Sequence, residues 1–78
     1  MDRKMLKRHL AQAKGHVETG RENIVRQRRV IAKLEQGGYG TKEARAALSL
    51  FEELQAMHTA DLERILRELV GKRTPSSF

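Results

Sequence analysis

Between Arg3 and Gln36, apolar or small residues recur at Leu6, Leu10, Ala13, Val17, Gly20, Ile24, Gln27, Ile31 and Leu34, in alternating steps of four and three. Gln27 is the one polar member, and Gly20 the one without a side chain. Such spacing keeps one stripe of a helix turned the same way, as in a heptad seam sustained for about four heptads. The pattern resumes at Ala44, Leu48, Phe51, Gln55, His58, Leu62, Ile65 and Leu69, with Gln55 and His58 as its polar entries. The periodicity predicts one helix over 3–36 and a second over 42–70, each about 45 Å long at 1.5 Å per residue.

Between the two seams stands GGYGT, residues 37–41. Gly37 or Gly38 suits the left-handed conformation that ends many helices. Thr41 suits the N-cap of the next helix, and Glu43 its first turn. A glycine-rich phosphate loop would follow a strand and carry the G-x-x-x-x-G-K-[ST] spacing, and neither is present here. The stretch therefore predicts a reversal, and a short connection returns the second helix antiparallel to the first. The fold class expected is all-α: a two-helix, coiled-coil-like hairpin over residues 1–70, with Gly71 stopping the second helix and residues 71–78 forming a flexible tail. Folding at the glycines sets Ala13 near Ile65, Val17 near Leu62, Gly20 near His58 and Ile31 near Leu48. A slip of about one turn would instead set Gln27 beside Gln55, where the two amides could bond each other.

A two-helix seam does not use all the apolar residues. Ala47, Leu50, Leu54 and Met57 form a second line on the second helix, broadened by Leu48 and Phe51. Val25, Val30 and Ala32 widen the first helix at the same end. A contiguous apolar patch of this kind marks a contact surface. The expectation is self-association, most simply a homodimer forming a four-helix bundle, through Ala47, Leu48, Leu50, Phe51, Leu54 and Met57. Another helical protein is the alternative occupant.

Charge adds a competing lead. The chain has 78 residues and a net charge of +6. Its first arm, Asp2 to Gln36, holds ten Lys/Arg and four Asp/Glu; its second, Thr41 to Val70, holds four and six. Basic against acidic favours pairing within the hairpin. The basic excess also suits nucleic acid, through Arg3, Lys4, Lys7 and Arg8 in the first two turns and Arg26, Arg28 and Arg29 further on. No aromatic residue stands near these groups for base stacking, and 3.6 residues per turn splay the second group. An accessory nucleic-acid-binding role is thus the second reading.

Other chemistry finds less support. Cysteine is absent, so neither disulfides nor cysteine-zinc sites are available. His16, His58 and Asp61 could approach one another across the hairpin, with His9 two turns from His16, but the spacing matches no metal motif. No serine has an activating context, and a hairpin offers no deep substrate pocket. No catalytic residue, metal or cofactor is expected. No apolar run approaches the ~20 residues of a membrane span, and none follows the basic N-terminus as in a secretory signal. The expected location is the cytoplasm.

Residues 16–66 carry His16-Val17 and Gly20, then Ile24 and Gln27, the glycine turn 37–40, an alanine-rich helix start at 44–48, Leu48 with Phe51-Glu52, and His58 with Asp61. This H-V-x-x-G, I-x-x-Q, L-x-x-F-E, H-x-x-D arrangement resembles a set of short helical proteins frequent in alphaproteobacteria. The resemblance covers about two thirds of the chain and implies the hairpin. It implies no activity and no catalytic residue.

Overall fold

The computed structural model describes residues 2–73. Two helices, α1 (Arg3–Gln36) and α2 (Lys42–Arg73), pack antiparallel along their length. Asp2 caps α1, its carboxylate accepting from the Met5 N–H at 2.8 Å. That bond satisfies one of the helix's free N-terminal donors.

The reversal is built by Gly38, whose φ of +75° is the left-handed conformation disfavoured for residues with a Cβ. The Tyr39 N–H donates to the Leu34 carbonyl at 2.9 Å and the Gly38 N–H to the Glu35 carbonyl at 3.1 Å. This pair of bonds is the Schellman ending of a helix. Thr41 then precedes α2, its carbonyl accepting from the Arg45 N–H at 2.8 Å. The Arg45 side chain donates to the Thr41 hydroxyl and pairs with Glu35, tying the start of α2 to the last turn of α1.

Every seam position of both helices is buried or half-buried. The tightest packing lies at the open end of the hairpin, where Leu6, Ala13, Ile65 and Leu69 form a cluster with Leu10 and Leu62 against it. Ile31 is buried nearer the turn. The molecule is a rod of 61 × 23 × 14 Å. Its radius of gyration is 17.9 Å. A compact chain of this length would have about 11–12 Å. So thin a rod has one seam and two broad outer faces.

Two expectations require correction. α2 runs through Gly71 to Arg73, beyond the expected end at 70. Gly71 has the space of an exposed helix position, so nothing there forces the chain to turn. The remainder of the expected tail, residues 74–78, lies outside the described residues. The register also differs, by about one turn in the direction opposite to the slip considered above. Gln55, not His58, lies over Gly20, and Gln27 and Gln55 do not meet. Each glutamine instead donates to a backbone carbonyl of the other helix: Gln27 to Ala44 at 2.8 Å and Gln55 to Val17 at 2.9 Å. A seam of steps of four and three fits itself equally well after a slip of one turn. The two amide–carbonyl bonds, each worth ~0.5–1.5 kcal/mol net, exist in this register alone and select it.

Candidate interaction surface

The middle of the hairpin is polar. Gly20 brings α1 so close to Gln55 that a Cβ at position 20 would fall 1.9 Å from Gln55 Oε1. The oxygen occupies the space in front of the glycine Cα–H and accepts no conventional hydrogen bond. Such Cα–H···O contacts recur where helices approach closely. One turn away, the His16 and His58 rings stack with centroids 5.2 Å apart and planes 13° from parallel. Thr19, Asn23, Phe51 and Leu54 join these residues around a cleft of about 120 Å³. Ligand pockets run to ~300–1,000 Å³, so this cleft suits no substrate of ordinary size. Asp61 is bonded to Arg64 and, with His9 and His16, lines an open cleft of about 210 Å³. Among the described residues, no group of three or more His, Cys, Asp or Glu is placed to hold a metal ion. None of their helices is long and apolar enough to cross a membrane.

The structure divides the six residues expected at a subunit or partner contact. Leu48 and Phe51 belong to the hairpin seam and are half-buried there, with Ala47 half-buried at its edge. Leu50, Leu54 and Met57 remain on the outside, 60%, 48% and 67% exposed. They are spaced by four and three and so share one stripe of α2. The seam has already closed without them. Nothing about folding the hairpin explains three large apolar side chains on that stripe, where lysine or glutamate would serve the helix as well. Val30 is exposed seven residues from Asn23, on the cleft side of α1. Val25 does not join this surface. It sits on the outer side of α1 in a groove of about 380 Å³ walled by Glu18, Arg21, Glu22, Arg26 and Arg29.

Among the described residues, the ion pairs that cross the hairpin are Arg28 with Glu52, at 3.3 Å, and Arg45 with Glu35. Helical spacing puts both on the side away from the His16–His58 cleft. Along α2, Arg64 pairs with Asp61 and, at 3.9 Å, with Glu68. The hydrogen bond that Arg64 donates to Asp61, and then the charges of Asp61 and Glu68, raise the Arg64 pKa further above an already basic value. Glu18 does the same to Arg21 on α1, with Glu22 adding to the effect. Both guanidiniums therefore carry a fixed positive charge.

The residues considered for nucleic acid are all exposed but do not form one group. Arg3, Lys4, Lys7 and Arg8 ring the free end of α1, and about 27 Å of helix separates Arg8 from Arg26. Arg28 is turned to Glu52, Arg26 bonds Asn23 at 3.4 Å, and Arg26 and Arg29 share their groove with Glu18 and Glu22.

Compared with protein-family models, curated proteins and solved structures, the chain matches none. The functional reading therefore stands on the surface itself.

Proposed function

We propose that the protein is a small, non-catalytic helical interaction module whose docking surface is the outer stripe of α2. One observation carries the reading: Leu50, Leu54 and Met57 stay exposed in line after the hairpin has closed its own seam. Burying a Leu or Met side chain is worth ~1.5–3 kcal/mol, so these three supply a contact energy typical of an interface centre. The half-buried Ala47 and Phe51 line its inner edge. The polar middle of the hairpin gives the surface its stiffness, because the Gln27 and Gln55 bonds hold α2 in one register against α1.

In-cell photocrosslinking tests this. Benzoylphenylalanine at Met57 should capture a protein, whether another copy or a different chain. The same probe at Glu22, on the outer side of α1, should capture little. Equal yields at the two positions would refute the assignment of the surface.

A further inference from the structure

We infer that His16 and His58 form a two-ligand site for a divalent transition-metal ion of the zinc class, one imidazole coming from each helix. The inference is independent of the docking surface above. The two rings face each other across the hairpin with centroids 5.2 Å apart. A tetrahedral zinc bonds two imidazole nitrogens at about 2.0–2.1 Å, which sets the ring centres about 5–5.5 Å apart. The spacing that chelation needs is therefore already present. The planes lie 13° from parallel, so at least one ring must turn to aim a nitrogen at the ion. That turn is about the Cβ–Cγ bond, a soft torsion with broad minima. The ring centre lies close to the axis of that bond, so the turn leaves the spacing nearly unchanged.

The surroundings suit a cation. Both histidines line the cleft of about 120 Å³ beside Gly20 and Asn23. Among the described residues, neither a lysine nor an arginine lines it. His58 is half-buried in the seam, which holds one ligand in place, and His16 is exposed, which leaves the ion in reach of water. The neighbouring cleft shares His16 and adds His9, Asp61 and Arg64. Asp61 is held by Arg64 there, so water fills the remaining positions on the ion. Imidazole selects zinc, copper or nickel, whereas magnesium and calcium take oxygen ligands. With one ligand on each helix, the ion binds the folded hairpin, in which the rings adjoin, and not the open chain. Its occupancy therefore locks the register that the Gln27 and Gln55 bonds select.

Zinc chloride titrated into the untagged chain at about pH 7.5, where free imidazole is mostly neutral, tests the inference by calorimetry and by thermal melts. One ion per chain should bind with a dissociation constant of about 1–100 μM. A tenfold excess over that constant should raise Tm by about 5–10 °C. His16→Asn and His58→Asn should each weaken binding at least about tenfold, and His9→Asn should change it less than about threefold. His16 is exposed, so His16→Asn leaves the hairpin folded and keeps the test decisive even if His58→Asn does not fold. Zinc without effect on Tm, an equal effect from magnesium, or binding that survives His16→Asn would each overturn the inference. So would a loss from His9→Asn as large as that from His16→Asn, because the ion would then lie along α1 and not between the helices. The Met57 photocrosslink involves neither histidine, so the site and the docking surface can fail separately.

Discussion

Replacing Gly20 by alanine tests the middle of the hairpin, because two effects of similar size oppose each other there. Alanine in a helix interior is favoured over glycine by ~1 kcal/mol. At position 20 the added methyl would lie 1.9 Å from Gln55 Oε1 and 2.8 Å from its Cδ. The amide must withdraw, and its bond to the Val17 carbonyl is lost at a net ~0.5–1.5 kcal/mol. The wild type should therefore gain almost nothing from Gly20→Ala. In a Gln55→Ala background the clash and the bond are already gone, and the same substitution should stabilise by the full ~1 kcal/mol. The coupling between the two sites is then about 0.5–1.5 kcal/mol, above the scatter of independent sites. Gly15 supplies the control. It lies in the same helix with open space where a Cβ would go. Gly15→Ala should give about 1 kcal/mol in either background. Urea unfolding measures all four corners at one fixed chain concentration, so that any association contributes equally to each. If Gly20→Ala stabilises the wild type as much as Gly15→Ala does, Gln55 does not lie over Gly20 and the register is wrong.

Four further substitutions and one titration probe other parts of the structure. Leu6, 1% exposed at the open end, should cost ~2–3 kcal/mol on truncation to alanine, at the lower side of core truncations because so thin a rod relaxes easily. Gly38→Ala should cost ~1–2 kcal/mol for its left-handed φ, whereas Gly40→Ala, with open space around it, should stay within ~0.5 kcal/mol; thermal melts compare the two. Asp2→Ala removes the α1 cap and should cost ~1 kcal/mol, with faster amide exchange confined to the first turn. Duplex DNA titrated across a salt series should bind weakly and with a shallow slope. A log–log slope near about −6, kept above roughly 0.2 M salt, would transfer the function to Arg3, Lys4, Lys7, Arg8, Arg26, Arg28 and Arg29.

Much of the fold is legible in the sequence because burial follows spacing. Each residue of the two seams is removed from water as its period requires, and the glycine cluster ends α1 where backbone conformation demands it. Asp2 as the cap is also readable, standing directly before the first helical turn. The register is not readable in the same way. Periodicity repeats after each turn, so it cannot distinguish alignments one turn apart, and the deciding bonds run from side-chain amides to main-chain carbonyls. A small residue facing a long amide is the signal that was present, at Gly20 and Gln55. The stack of His16 on His58 follows from that register and has no mark of its own in the sequence. The division of the six expected contact residues, by contrast, was legible in the spacing. Leu48 and Phe51 belong to the seam by their spacing, while Leu50, Leu54 and Met57 fall outside it. Gly71 misled because glycine permits a helix end without enforcing one.

The central claim is that the hairpin closes on itself and leaves the outer stripe of α2 for a protein contact. Methyl NMR with a soluble paramagnetic probe measures this most directly. In dilute solution the probe should broaden Leu50, Leu54 and Met57 while sparing Leu6, Ala13, Ile31, Ile65 and Leu69. Whatever docks on the stripe, a further copy on concentration or another chain on addition, should protect the outer three and leave the seam methyls unmoved. Protection of the outer three at every dilution, or seam methyls that shift together with them, would contradict it, since the stripe would then belong to the fold of the single chain.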